Sequence, residues 1–502
     1  MHTVQDPLAR GTLIARDEVA AICGESTLSY WQLNDRVHRL AFALSELGLG
    51  AGDRVGIVAG NCHRYVESYL AIPAAGMVIV PINTRASEPE MEFVLRDAGV
   101  KVLITDRAPA RYEAGLVSVI RMPEEYEDVV AAARPEPLHI RPSEEDLAGI
   151  FYTGGTTGRS KGVMLTHRNL ISNAITALVW AKLRKEDRWL VMAPMHHAAG
   201  TCLVLSSLWI GASQVMLPAF SAAGALDLIE RHQASGTLAV PTMMIAMNDE
   251  QTARPRNIDS LRLLSHGASP APVEVLRRAH AVFPKAELLH LYGTTETAPI
   301  ATTFQNEEQH LNDELAGSVG QPALGVEVAV FDPDNTPAPS SAAGEIVLRG
   351  NNVMAGYWGL PEESAKALEG GWYHTGDLGF ITEAGYLFLN DRLKDMVVTG
   401  GENVYTIEVE DALYQHPKVQ EAAVFGVPDE RWGESVLAVV VPRETVTEEE
   451  IISHLRPLIA GYKIPRHIII QNEPLPKSAA GKILKRQLRE PYWQGRKTRI
   501  GN

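Results

Sequence analysis

Between residues 28 and 106, short apolar runs alternate with amphipathic segments, and this alternation restricts the fold more than any other feature. "RVGIVAG", "MVIVPIN" and "KVLITD" read as buried strands, and "HRYVESYLAIPAAG" and "EPEMEFVLRDAG" between them read as helices. Crossovers of helix length join strands that run parallel, so the pattern predicts a layered α/β domain. It returns further on: "LAGIFYT" is strand-like, and Leu170, Ala174, Ala177, Leu178 and Ala181 recur at helical spacing. "RLLSHG", a helix over 272–282 and "ELLHLYG" follow. After about Gly317, short strands with Gly, Pro and Asp turns ("VEVAVFDPDN", "GEIVLRG", "GYLFLNDR") predict a distorted β-subdomain. The charged segment "DRLKD" then leads into a small α+β tail, with helices over 406–415 and 448–458 and strands over 422–426, 435–441 and 467–471. The expected division is a large N-terminal domain over 1–391 and a small C-terminal domain over 392–502.

A chain of 502 residues exceeds one ordinary core, in keeping with that division. The formal charge of −15 argues against nucleic acid or an anionic membrane surface as the main partner. Cys23, Cys62 and Cys202 lie far apart without a CxxC pair, which fits a reducing compartment and no zinc pattern. No basic end followed by an apolar core opens the chain, so a cytoplasmic location is expected. From Ala193 to Ala225 no charged residue occurs, but Pro194, Gly200, Gly211 and Pro218 interrupt the run. It is expected to be a buried helix over 203–208 turning into a strand over 214–217, not a membrane span.

Four segments carry chemistry. "YTGGTTGRSKGVMLTH", residues 152–167, sets five Ser/Thr hydroxyls, four glycines and a lysine between an apolar strand and a helix-like segment. Its spacing fits neither GxxxxGK[ST] nor GxGxxG, which excludes a P-loop NTPase and a dinucleotide dehydrogenase. What remains is a loop whose N–H groups and hydroxyls can ring phosphates, with Lys161 as a mobile charge. In "LLHLYGTTETAP", Tyr292 offers a flat face to a base, Thr295 a donor to phosphate and Glu296 a carboxylate for Mg²⁺. Asp377 in "GWYHTGDLG" can accept both hydroxyls of a ribose, and Lys482 in "PLPKSAAGKILKRQL" follows a glycine and opens a basic helix. Taken singly, each of the last three is also what a plain turn or a solvated basic tail looks like.

Together and in this order, with "PMHHAAG", "SHGASP", "LKDMVVTGGENVY" and "VPDERWGE", they resemble the adenylate-forming acyl-CoA synthetases, the superfamily shared with nonribosomal adenylation domains and firefly luciferase. The resemblance runs over residues 28–488 and implies ATP, Mg²⁺ and CoA as co-reactants of a small carboxylic acid. It implies that Thr153, Gly154, Gly155, Thr156, Thr157, Gly158, Ser160 and Lys161 hold the β- and γ-phosphates. Gly267, Ala268 and Ser269 with Leu291, Tyr292, Gly293 and Thr294 would wall the nucleotide; Thr295 would touch the α-phosphate and Glu296 would bind Mg²⁺. Asp377 and Arg392 would fix the ribose, and Lys482 would bridge the attacking carboxylate and the α-phosphate. In the family the C-terminal module rotates between two half-reactions, about a pivot at the position of Lys394.

For the acid the sequence is thinner. His197 matches a family histidine at the mouth of the acyl pocket, and Ala198, Ala199, Thr242, Met243 and Ala298 are candidate wall residues, although Met243, Met244 and Met247 also fit a plain core. No counter-ion for an α-amino acid or dicarboxylate is evident, so an apolar fatty, alicyclic or aryl acid is favoured. Gly400, Gly401 and Trp432, with Arg85, Lys463 and Arg466, are candidates for CoA contacts. A carrier protein or an amine as acceptor stays open, as does assembly into a homodimer.

Overall fold

The computed structural model describes residues 3–107, 115–134, 141–153, 160–429, 431–478 and 481–494. Burial on both faces accounts for the unbroken apolar runs. Val78–Pro81 is buried at every position and Arg54–Val58 at all but the first, as interior parallel strands require. They belong to a seven-stranded sheet ordered Gly356–Tyr357, Lys161–Thr166, Leu147–Thr153, Val78–Pro81, Arg54–Val58, Val100–Thr105, Ser118–Arg121. The pairings from Leu147–Thr153 through Ser118–Arg121 are parallel, and Leu147–Thr153 pairs antiparallel with Lys161–Thr166.

A thirteen-stranded sheet forms the rest of the large domain. Its centre is parallel: Val19–Cys23, Ser213–Met216, Arg188–Val191, Gly236–Ala239, Leu263–Gly267 and Glu287–Tyr292 pair in that order. From Thr302–Phe304 the pairing turns antiparallel and continues through Ser318–Pro322 into Leu387–Arg392, Tyr373–Ile381, Gly344–Gly350 and Val326–Phe331. The strand-rich segment expected after Gly317 is therefore hydrogen-bonded to the central sheet and not set apart from it. The small domain has a five-stranded sheet over residues 397–470, flanked by helices Thr406–Tyr414, Glu448–Leu455 and Lys485–Trp493, around its own core of Val397, Val424, Val436, Val440 and Ile451.

Two local expectations are corrected. The Gly/Thr-rich loop runs into a strand, Lys161–Thr166, and so closes a β-hairpin; the helix begins only at His167, where Thr166 caps it by accepting from the Asn169 N–H. Lys482 does not open a helix either. It sits in a turn where Ser478 N–H donates to the Lys482 carbonyl, and the helix starts at Lys485. The charge-free run folds as helix Ala198–Ile210, ended by Gly211 at φ 80°, and strand Ser213–Met216. Among the described residues no helix is long and apolar enough to cross a membrane.

Candidate active site

Leu263–Gly267 and Glu287–Tyr292 run parallel with Gly267 opposite Leu291, so both strands end at one edge of the sheet, where α/β folds bind ligands. Close backbone approach explains the glycines that follow. A Cβ on Gly267 would lie 2.1 Å from the Leu291 carbonyl oxygen, and one on Gly293 would lie 1.8 Å from that of Pro299. Ala268 is exposed at φ 66° and Ser269 is half-buried, leaving this edge open to a ligand. Behind it, His266 and His290, one residue before Gly267 and Leu291, both bond the buried carboxylate of Glu307, with His290 Nδ1 at 3.3 Å. Burial raises the Glu307 carboxyl, yet the two imidazoles outweigh that and hold it at about 2. This bridge fastens the two strands side by side.

Asp377 and Arg392 are cross-strand partners in an antiparallel pair, with Arg392 Nε 3.1 Å from Asp377 Oδ1. Tyr292 donates its hydroxyl to Asp377 Oδ2 at 2.9 Å, tying the end of strand Glu287–Tyr292 to the acidic residue. A carboxylate has further acceptor sites beyond these two bonds, so Asp377 retains capacity for a diol.

Thr295–Thr297 forms a single 3₁₀ turn, braced by buried Asn352, whose Nδ2 donates to the carbonyls of Ile300 and Thr297 at 2.8 and 3.1 Å. The turn presents Glu296, whose Oε1 accepts from the Tyr357 hydroxyl at 3.0 Å. Lys161 lies 5.0 Å above the Tyr357 ring and pairs with Glu363 on helix Pro361–Ala367. Lys161 and Glu296 therefore meet around one tyrosine. One half-buried carboxylate beside a lysine suits Mg²⁺, which takes one or two protein carboxylates and completes its shell with phosphate and water oxygens. Ser160 and Thr153 flank the loop; Gly154, Gly155, Thr156, Thr157 and Gly158 lie outside the described residues.

The lysine turn of the small domain docks on the large one. Thr242, at the start of helix Pro241–Ala253, donates its hydroxyl to the Gly481 carbonyl at 2.8 Å. Gly481 has φ +83°, and a Cβ there would stand 2.6 Å from Thr242 Oγ1. This brings Lys482 within the field of Asp377, Arg392, Lys394 and Asp395. The charge of Arg392, then burial, then Lys394 push its ammonium down to about 7 against the pull of the two aspartates. The linker is gripped from the same side: Arg489 meets Asp395 at 3.0 Å, and Asp391 accepts from both the N–H and the hydroxyl of Thr406. Burial lowers Lys394 to about 8.

The acyl candidates are scattered in role. His197 precedes helix Ala198–Ile210 without a side-chain capping bond and packs on His196 at 4.3 Å between ring centroids; burial holds His197 near 4 and His196 well below its ordinary value, so both rings are neutral. The Nε2 atoms of both are buried without a partner among the described residues. Ala198 and Ala298 are buried and Ala199 is half-buried. Met243, Met244 and Met247 belong to the apolar cluster under the central sheet, and the Thr242 hydroxyl is engaged by the lysine turn. In the small domain, the guanidinium groups of Arg431 and Arg466 lie over the Trp432 ring, each 4.8 Å from its centroid, and Gly400 donates its N–H to the Trp432 carbonyl at 2.9 Å. Gly401 adjoins it at φ +88°.

Comparison with known proteins decides the family. The AMP-binding enzyme profile matches residues 14–358, and the C-terminal domain profile of the same enzymes matches residues 408–482. The chain is 38% identical to a feruloyl-CoA synthase of an Amycolatopsis species over 474 residues, covering 93% of this chain and 95% of the relative. The chain belongs to the adenylate-forming acyl-CoA synthetase family of AMP-binding enzymes. It is also 34% identical to the fatty acid–[acyl-carrier-protein] ligase ScoC of Streptomyces coeruleorubidus, covering 94% of this chain and 93% of the relative. It superposes on ATP-bound MatB of Rhodopseudomonas palustris with a TM-score of 0.90 at 31% identity, covering 99% of this chain and 100% of the other. On apo MatB the TM-score is 0.79 at 32% identity, with coverages of 98% and 99%.

Sequence reasoning did not find Tyr357, Tyr373 or Glu363. Tyr373 lies 3.5 Å from Thr294 Oγ1 through its hydroxyl, and all three come from strands or helices 60 or more residues away from the Thr294–Glu296 turn. Nothing local marks Tyr373 or Glu363. For Tyr357 only the tyrosine of "MAGYWG" among small residues offered a signal.

Proposed function

We propose that the synthetase joins an apolar fatty, alicyclic or aryl carboxylic acid to coenzyme A. The acid and ATP give acyl-AMP and pyrophosphate; the CoA thiol then attacks the acyl carbonyl and AMP leaves. The observation that carries this reading is the arrival of Lys482, from a separate domain, beside the Asp377–Arg392 pair. Two anions must meet in the first step, so catalysis there is charge compensation and alignment.

Asp377, with Arg392 and Tyr292 behind it, holds the ribose, and the Gly267–Ser269 edge faces the base. Lys161 exchanges Glu363 for the β- and γ-phosphates, with Thr153, Ser160 and loop residues 154–158 around them. Glu296 would hold Mg²⁺, which supplies further neutralisation of phosphate charge. Thr295 meets the α-phosphate. The Lys482 ammonium bridges the carboxylate and the α-phosphate, where its charge counts most as both share electrons in the transition state. In the free enzyme Arg392 and Lys394 oppose that charge; the two anionic substrates restore it.

Rotation about Lys394 then withdraws Lys482 and turns Gly400, Gly401 and Trp432 toward the acyl carbonyl. The Arg431–Trp432–Arg466 stack has the chemistry to take the base and phosphates of CoA. The feruloyl-CoA synthase relative supports an aryl acid, and the uncharged His196–His197 neighbourhood fits an apolar group. A second reading, transfer to a carrier protein, is supported by the ScoC relative and shares the first step. A panel of aryl, fatty and alicyclic acids assayed with ATP and Mg²⁺ for pyrophosphate release, and with CoA for AMP release, separates them. Pyrophosphate release without CoA-dependent AMP release for every accepted acid would sink the CoA assignment.

A further inference from the structure

We propose that Asp249 and Arg443 are positioning residues for the first half-reaction, a clasp that seats the C-terminal domain so that Lys482 reaches the α-phosphate. The inference rests on the two-step reading above and adds residues that lie outside the sequence motifs.

Helix Pro241–Ala253 is the dock. Thr242, near its start, bonds the Gly481 carbonyl beside Lys482. Asp249 follows seven residues later, which on an α-helix is two turns on the same face and about 10 Å along the axis. There Arg443 Nη1, just beyond strand Gly433–Pro442 of the small domain, reaches Asp249 Oδ1 and Oδ2, both at 2.9 Å. The opposite face of the helix buries Met243, Met244 and Met247 in the large-domain core, so the dock cannot shift without disturbing that core.

A single contact fixes a position, whereas an orientation needs contacts held apart. The linker, where Asp391 accepts from the Thr406 N–H and hydroxyl, the bond at Thr242 and the ion pair at Asp249 are three such points, and the third lies farthest along the helix from the lysine turn. The Asp249 carboxylate is also set in advance. Arg278, on helix Val273–Val282 of the large domain, donates to its Oδ1 at 2.8 Å, so Arg443 meets an anion already oriented. Isolated exposed pairs stabilise little, but a two-state domain equilibrium responds to a small bias, and networks of this kind contribute more than lone pairs. The better superposition on ATP-bound than on apo MatB agrees with this being the adenylate-forming orientation.

The test is a double-mutant cycle on separated half-reactions, using Asp249→Asn, Arg443→Gln and the double variant. Acyl-AMP formation is read as pyrophosphate release without CoA in a single turnover, and thiolysis as AMP release when CoA meets supplied acyl-AMP. Each single variant is expected to slow the first step about three- to fivefold and leave thiolysis unchanged or faster. The double variant should be no slower than either single one, and Asp249→Glu should recover most of the rate. Raising salt should slow the wild-type first step and leave the variants little affected. Additive losses, equal losses in both half-reactions, or an unaffected first step overturn the clasp. A spin-label distance between the two domains, measured with a non-hydrolysable ATP analogue, reads docking without turnover: Asp249→Asn should broaden it, and an unchanged distribution counts against the clasp. Wild-type enzyme that releases no pyrophosphate with any acid overturns the ligase reading instead, and the distance measurement still decides the clasp.

Discussion

The charge state of Lys482 makes the first half-reaction sensitive to pH in a definite direction. In the free enzyme Arg392, burial and Lys394 push this ammonium down to about 7. A lysine that must be protonated to bridge two anions is then half competent at pH 7, about 9% competent at pH 8 and about 1% at pH 9. The value of kcat/KM for acyl-AMP formation, which reports the free enzyme, should therefore fall about 50-fold between pH 7 and pH 9. Bound ATP and acid bring negative charge to the same place, so the limb in kcat should lie at higher pH than the limb in kcat/KM. The assay is initial pyrophosphate release without CoA across pH 6 to 9.5. Lys482→Arg is the control: arginine does not lose its proton in this range, so a slower enzyme with a flat profile is expected. A wild-type kcat/KM that is flat from pH 7 to pH 9, or a limb that persists unchanged in Lys482→Arg, refutes the reasoning.

Three further outcomes follow from the same geometry. Trp432→Ala removes the ring that Arg431 and Arg466 lie over, and since a base stacked on an aromatic ring gains about 1–3 kcal/mol, KM for CoA should rise roughly 5- to 160-fold with pyrophosphate release in its absence unchanged. Lys394→Pro fixes one backbone dihedral at the pivot, and CoA-dependent AMP release should slow more than acyl-AMP formation, as measured in the two separated assays. Lys482 also titrates lower in the folded enzyme than its ordinary 10.5, so the unfolded chain binds more protons between about 7 and 10.5 and stability rises with pH in that window. The penalty is complete below 7, so Lys482→Met should raise Tm more at pH 6 than at pH 9.5, as read by scanning calorimetry.

Periodicity made the layers legible. Strands such as Arg54–Val58 and Val100–Thr105 announce themselves because parallel strands are apolar on both faces, and their crossovers have helical length. It failed at Lys161–Thr166, where a glycine and a lysine obscure a six-residue strand, and at Lys482, where a basic composition resembles a helix start but Gly481 turns the chain. The motif residues Tyr292, Glu296, Asp377 and Lys482 were nameable because each lies in a short stretch whose residue types suit one piece of phosphate or ribose chemistry. Tyr357, Glu363, Asp249 and Arg443 were not, because their meaning depends on partners brought from distant segments: Arg443 is 194 residues from Asp249. The acyl pocket escaped for the same reason, since alanines and methionines acquire specificity only from the space they leave.

The central claim is that one lysine, carried on a domain that moves, serves the first half-reaction and not the second. Lys482→Ala, with acyl-AMP formation and thiolysis of supplied acyl-AMP measured separately, tests this most directly. The account predicts a fall of about 10²- to 10³-fold in acyl-AMP formation, the range for loss of one group stabilising transition-state charge, with thiolysis close to that of the wild type. Equal loss of both half-reactions in a variant that remains folded would contradict it.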